Sequence, residues 1–558
     1  MDEQYYVDGE GRDETGLRYF RIALPESAIT VSAKTVVSEP GQIFTALTNA
    51  GVNCISTESK KAIIDALQLF QGAGASFQVT TKIGHFRKQF VLPEQVIGPA
   101  KLPTVSVLDG LDQAMVAKYR TKGTLDEWQQ QVAKPVTGNS RLMFGGALAF
   151  TGPILPFVKG PRTGGFQISG AAETGKTTAA TVAGSVWGCH VGTERQEKGF
   201  AESWHTTEGK AELTAMAHNN TLLILDETQR AGRTAAHRAQ VITDLAFSLA
   251  EGIERERLTN AKSSRAWQTY FLSTSNMTFS ELAEAGNVAI DDQHLGRMFD
   301  IPCPPDSPHG IYETVHDFAN GERLSDALKR RCRLYFGTAG LAFVRRVVAD
   351  RNSDLPKLKK TLARYRARYR KALKRELRGT TLRSLTRTAS RFATVYAAGR
   401  LAIKYRILLW EKEALLGAIL DCHLSGLRLQ ADRRALGEPS EGELRRKLVA
   451  YLSDRHPFVD LAGCRPTKGS DAATSAGGYV GTDEEEGWLY LTARKVSEVV
   501  GDGPNASSLK RRLQNEGNLR RSKQGGFVVQ RKIYSGGKGN ENFAWVYAFS
   551  PAVLQRAE

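Results

Sequence analysis

The run Gly170-Ala171-Ala172-Glu173-Thr174-Gly175-Lys176-Thr177 constrains this chain more than any other feature. It follows a short apolar strand, Gly165 to Ser169, and leads into a small-residue helix predicted from Thr177 to Trp187. Strand, glycine loop and helix in that order aim backbone amides and a helix N-terminus at one point, which favours negative charge there. The run therefore reads as a cradle for a nucleoside triphosphate. Gly170, Ala171, Ala172, Glu173, Thr174, Gly175, Lys176, Thr177 and Thr178 are the expected nucleotide contacts. Lys176 is expected to reach the β- and γ-phosphates and the Thr177 hydroxyl to ligate magnesium, so ATP and Mg2+ are the expected cofactors.

Downstream elements fit the same chemistry. Strands alternating with helices from about 165 to 301 predict an α/β domain with a largely parallel sheet. Thr221-Leu222-Leu223-Ile224-Leu225-Asp226-Glu227 describes a strand buried on both faces, with two carboxylates at its C-terminal end. Asp226 is expected to hold the metal and Glu227 to act as general base. A third apolar strand, Tyr270 to Ser275, ends at Asn276, read as the residue that orients the attacking water, or as a turn asparagine. Arg297, in Leu295-Gly296-Arg297-Met298-Phe299-Asp300, is placed at the start of a further strand. It is read either as a finger for a neighbouring subunit's site or as half of an internal ion pair. Arg387 and Arg391 lie one turn apart on a predicted helix, where either could fold over nucleotide or pair at the surface.

With 558 residues the chain exceeds one core, and several domains are expected. Its 76 basic and 59 acidic residues leave a net charge of +17, which favours a polyanionic partner, nucleic acid first. Pro308 to about Leu429 reads as almost wholly helical. Within it, Leu358, Leu362, Tyr365, Tyr369 and Leu373 form one stripe beneath a basic face, a pattern more often core than contact surface. Near the N-terminus, Tyr19 to Leu24 and Phe77 to Thr81 read as strands and Lys60 to Phe70 as a helix. Residues 468 to 487, with acidic Asp483 to Glu486, read as a loop.

None of the six cysteines forms a Cys-x-x-Cys pair, which argues against a zinc ribbon. The first residues show no basic-then-apolar leader, and the apolar stretches are broken by Gly and Pro. A cytoplasmic protein without membrane association is the expectation.

These motifs together resemble the domain-of-unknown-function 927 family of AAA+ ATPases. The likeness rests on Gly165 to Gly188, Ser203-Trp204, Ala217-His218-Asn219-Asn220, Leu223 to Glu227 and Leu272-Ser273-Thr274. It continues through Phe299-Asp300-Ile301-Pro302, Tyr335 to Gly340 and Arg391-Phe392, and upstream through Phe90 to Pro93 and Gly138 to Leu142. Members occur in phages and mobile elements, and some relatives from staphylococcal cassettes look like minichromosome-maintenance helicases. The resemblance implies an ATP-dependent DNA helicase, a homo-hexameric ring acting on single-stranded or forked DNA in replication of a phage or mobile element. Alternatives are an initiator or loader using ATP as an assembly switch, or the helicase half of a primase-helicase system with a separate primase or initiator chain. In minichromosome-maintenance proteins a Ser-Arg-Phe-Asp motif carries the arginine finger, and Gly296-Arg297-Met298-Phe299-Asp300 is similar to it with one residue inserted. Ser275-Asn276 stands where the domain-of-unknown-function 927 family commonly has Gly-Glu.

In related helicases a hairpin before the third strand reaches the pore. Here that place holds Arg255, Arg257 and Lys262, with Glu254 and Glu256 balancing the charge. The expected organisation is an N-terminal α+β domain (1–123), an AAA+ P-loop core (124–305), a helical lid (306–432) and a winged-helix-like domain (433–558). In the last, helices over Glu441 to Ser453, Ala493 to Val500 and Ser507 to Glu516 precede a β-wing from Phe527 to Phe549. Lys510, Arg511 and Arg512 are its expected DNA contacts, chiefly to phosphate.

Overall fold

Alternating and continuous apolar runs resolve into four sheets in the computed structural model. It describes residues 5–72, 74–93, 95–107, 117–190, 199–253, 266–288, 290, 292–304, 307–377, 386–437, 441–454, 458–482, 487–501, 504–522, 526–537 and 539–555. The chain divides into two units, Met1–Leu427 and Arg428–Glu558.

In the first unit, β1 (Tyr6–Arg12), β2 (Arg18–Ala23), β3 (Ala28–Ser32), β4 (Ala75–Thr80) and β8 (Thr104–Ser106) form a sheet ordered β3-β2-β1-β4-β8. The expected strands at 19–24 and 77–81 are β2 and β4. The expected helix at 60–70 begins a turn earlier, as Thr57–Leu69, because the Ser56 hydroxyl caps it by accepting from the Ser59 amide.

A small antiparallel sheet of β5 (Gly84–Phe86), β6 (Gln89–Leu92) and β7 (Gln95–Ile97) is stapled to the central sheet by two asparagines. Asn219 donates to the Ile83 carbonyl at 2.6 Å and accepts from the Gln268 amide at 2.8 Å. Asn220, in the left-handed region at φ 56°, accepts from the His85 amide at 3.1 Å.

The central sheet contains β9 (Gly164–Ser169), β10 (Glu202–Ser203), β11 (Leu222–Asp226), β12 (Tyr270–Ser275) and β13 (Met298–Pro302). Its order is β10-β11-β12-β9-β13 with every pairing parallel. Phe166, Ile168, Leu222, Ile224, Leu272 and Phe299 are fully buried in it, as runs covered on both faces require.

Helices Gly321–Leu334, Thr338–Glu376, Thr386–Lys404 and Lys412–Gly437 follow. The stripe Leu358, Leu362, Tyr365, Tyr369 and Leu373 is buried, in line with the core reading. The long helix breaks at Asp354 ahead of Pro356, and the Asp354 carboxylate caps the restarted turn by accepting from the Lys357 amide at 2.9 Å. Among the described residues no helix is long and apolar enough to cross a membrane.

The second unit holds β14 (Phe458–Asp460), β15 (Gly478–Val480), β16 (Leu489–Thr492), β17 (Val529–Lys532) and β18 (Phe543–Phe549), ordered β14-β15-β16-β18-β17. Helices Glu441–Ser453, Ala493–Val500 and Pro504–Asn515 bury Leu444, Leu448, Val496, Leu509 and Leu513 against Phe549. The third helix starts three residues before the expected Ser507, at Pro504, whose fixed φ suits a first helical turn. One expectation is corrected: 468–487 is not all loop, since Asp471–Ser475 is helical and β15 lies within it. Glycine reads as loop, but at Gly478 it admits close packing, because a Cβ there would stand 2.8 Å from Leu491 and 2.9 Å from Phe458. Asp483 to Glu486 lie outside the described residues.

Candidate active site

Parallel strands end on a common rim, and the central sheet brings Ser169, Asp226, Ser275 and Pro302 to it. The loop Gly170–Gly175 leaves β9 at that rim. Gly170 adopts φ +157° and donates its amide to the Ser275 carbonyl at 3.2 Å. A Cβ on it would lie 2.6 Å from the Cys303 sulfur. Gly175, at φ +95°, opens the helix Lys176–Ser185, and a Cβ on it would meet the Tyr312 ring at 2.8 Å. Glycine is required at both places. The far side of the loop is held by the Ile311 amide, which donates to the Thr174 carbonyl at 2.8 Å. Ala171, Ala172 and Glu173 are exposed at the tip, with Glu173 itself at φ 61°.

The Lys176 ammonium donates to the Ala171 carbonyl and to the Thr174 hydroxyl, the latter at 3.3 Å. Burial lowers its pKa, against the opposing pull of Cys303 and Asp226. Thr177 is half-buried at the first helical turn. Thr178 turns inward instead: it is fully buried and its hydroxyl meets that of Ser325 at 2.7 Å.

Asp226 ends β11 beside Thr274 of β12, whose hydroxyl donates to Asp226 Oδ1. The His190 ring stands 3.6 Å from Oδ2. Burial alone would raise the carboxyl's pKa, but these two neighbours outweigh it and hold the group below the usual carboxylate range. Glu227 follows at φ 57°, a costly conformation for a residue with a Cβ, and its amide donates to the Thr274 hydroxyl at 3.2 Å. Its carboxylate is half-exposed and pairs with Arg230 at 2.5 Å. Asn276 comes directly after β12 on the same rim, exposed.

Arg297 does not begin a strand. It closes the helix Asp292–Arg297, and β13 starts one residue later. Its guanidinium lies 3.5 Å from the centroid of the Phe247 ring. The register pairs Met298 with Gly165, so Arg297 sits at the rim opposite the glycine loop. About 17 Å of strand separates the two. Arg391 is at that opposite rim as well, fully buried. It donates to the carbonyls of Gly296 at 2.6 Å, Arg297 at 2.9 Å and Gly165 at 3.2 Å. Neither nucleotide contact nor surface pairing, the two sequence readings of Arg391, describes it. The two arginines line a cavity of about 420 Å³ with Thr163, Gly164 and Glu251.

Arg387 is in the first turn of the helix Thr386–Lys404, and its side chain lies outside the described residues, as do Arg255, Arg257 and Lys262. In the second unit Arg511 and Arg512 are exposed, the latter paired with Glu516 at 3.1 Å. Lys510 is buried, its ammonium 5.4 Å from the Tyr547 ring centroid, so it faces the interior. Thr274, His190 and the Gly310–Tyr312 segment join the site without a motif that marks them for it. Thr274 stands out in the sequence as part of an apolar strand's polar end and of the Leu272-Ser273-Thr274 resemblance, with neither signal pointing to Asp226.

The family model described as "Domain of unknown function (DUF927)" matches residues 10–268, so the expected resemblance to that family holds there. No curated protein matches the chain significantly. Among solved structures, "SCCmec type IV Cch - active helicase" is 15% identical, with 99% of this chain and 94% of that chain covered, at a TM-score of 0.61. At that identity the likeness is one of fold. The apo form of the NrS-1 C-terminal region is 12% identical, covering 74% of this chain and 88% of that one, at a TM-score of 0.21. NtrX from Brucella abortus in complex with ATP is 9% identical, covering 64% and 92%, at 0.20. These two scores carry no structural argument.

Proposed function

We propose that this chain is an ATP-dependent DNA helicase with an AAA+ core, working as a homo-hexameric ring. One observation carries the proposal. A glycine loop with its lysine and an acidic strand end, Asp226-Glu227, open on the same rim of a parallel sheet with one strand, β12, between them. Open parallel sheets place ligands at that rim. The overall likeness to a structure named as an active helicase supports DNA unwinding as the work done.

In this reading the loop amides and Lys176 hold the triphosphate, with Lys176 exchanging its bonds to Ala171 and Thr174 for phosphate oxygens. A divalent cation fits the donor set: Asp226 is an oxygen ligand kept ionised by its neighbours, and the Thr177 hydroxyl stands at the start of the helix. Magnesium, when bound, neutralises charge on the phosphates. Glu227 accepts the proton of the attacking water, and Asn276 orients that water. Arg297 cannot serve its own loop from the opposite rim, so it acts on the nucleotide of the next subunit. Residues 124–305 form the motor core, 306–432 its lid, and 433–558 a winged-helix-like domain whose Arg511 and Arg512 contact DNA phosphate. The small domain 1–123 is built around the N-terminal sheet.

Steady-state ATP hydrolysis with and without single-stranded DNA tests this reading. Stimulation by DNA that disappears in Lys176→Ala is expected. Hydrolysis indifferent to DNA would favour the assembly-switch alternative.

A further inference from the structure

The sequence Phe543-Ala544-Trp545-Val546-Tyr547-Ala548-Phe549 puts four aromatics at alternate positions of β18, hence on one face. Their burial is graded. Phe549 is in the core under the helices, Tyr547 is partly covered beneath Lys510, and Trp545 and Phe543 are 61% and 38% exposed. The register sets Gln530 opposite Trp545 and Lys532 opposite Phe543 on the edge strand β17, both exposed. Two open aromatic rings thus stand with a cation and an amide on one sheet face.

We propose that this face is a base-stacking platform for single-stranded DNA. Alternate strand positions lie about 7 Å apart, roughly twice the 3.4 Å step of stacked bases along one strand of a duplex. Trp545 and Phe543 would therefore each take a separate, unstacked base, and the strand would be held stretched. Charge complementarity favours a nucleic acid over a protein: residues 504–540, which include β17, hold nine Lys or Arg and one acidic residue, Glu516. Although Lys510 is turned inward and Arg512 pairs with Glu516, Arg511, Arg520, Arg521 and Lys532 are exposed. Lys532 on an edge strand could serve only to discourage strand pairing. That role needs the charge, and it does not call for two exposed rings beside it. Stacking is tolerant of sequence, and Lys532 supplies the phosphate contact.

The inference rests on the reading that the chain works on DNA, and its test is made without nucleotide so that the two can fail separately. Fluorescence anisotropy of the full-length protein with labelled oligo(dT), and with a blunt duplex of equal length, is the measurement. Trp545→Ala should weaken oligo(dT) binding roughly tenfold and Phe543→Ala less, while Trp545→Phe binds as the wild type does. Duplex affinity and DNA-free ATP hydrolysis should be unchanged. Oligo(dT) affinity unaltered in both alanine variants, or an equal loss on duplex, overturns the proposal. Failure to unwind DNA would count against the motor and leave the binding result standing.

Discussion

The buried guanidinium of Arg391 donates to the carbonyl oxygen of Arg297 at 2.9 Å, tying the helix Thr386–Lys404 to the residue that precedes β13. The same group also holds Gly296 and Gly165 and lies 5.2 Å from the Phe166 ring centroid. A Cβ on Gly164 would come within 2.2 Å of it, so glycine is needed there. Arg391→Ala leaves several buried carbonyls without a donor and should cost roughly 3 kcal/mol or more. Denaturant unfolding reads this directly, and an unchanged midpoint would remove the clamp from the account.

Arg297→Ala leaves that clamp intact, since Arg391 binds its backbone. It should melt close to the wild type yet lower the hydrolysis rate by roughly a thousandfold. Mixing it with Glu227→Gln subunits should restore part of the rate, because a nucleotide site on an Arg297→Ala subunit keeps its own base and receives an intact finger from a neighbouring Glu227→Gln subunit. A normal rate in the all-Arg297→Ala protein would exclude the finger.

Glu227 pays for its position with φ 57°. Glu227→Gly should therefore melt no lower than the wild type, with a gain of up to about 1 kcal/mol from relief of strain, while hydrolysis falls by roughly a hundredfold or more. A clear loss of stability in thermal melts would show that the Arg230 pair outweighs the strain.

Acid should destabilise the first unit through three buried imidazoles, His85, His218 and His423, all lowered by burial. Burial lowers His423 to about 3 and His85 to about 4. The unfolded chain takes up these protons near 6.5, so between that pH and the folded values it binds more protons, and stability falls as pH drops through this window. His423→Gln keeps a hydrogen-bonding partner for the Tyr369 hydroxyl, now 2.9 Å from Nδ1, without the charge. Its melting temperature should decline less steeply from pH 6.5 to 4. An identical slope would mean that His423 does not contribute.

Much of the site was legible because its signals are local. A glycine loop after a strand, and four apolar residues before Asp226-Glu227, need no knowledge of distant chain. The helical stripe from Leu358 to Leu373 was legible for the same reason. What escaped depends on register and packing. Thr274 meets Asp226 because β11 and β12 align Leu225 with Ser273. Arg391 could not be told from a surface arginine until its helix was seen against the start of β9. Lys510 belongs to a basic triplet in sequence, yet the pitch of its helix turns it inward while Arg511 and Arg512 face out.

Strand separation of a forked DNA duplex by the full chain tests the central claim most directly. The account predicts ATP-dependent release of the displaced strand, abolished in Lys176→Ala and in Glu227→Gln. ATP hydrolysis together with DNA binding, but no strand release at any protein concentration that saturates the fork, would contradict it.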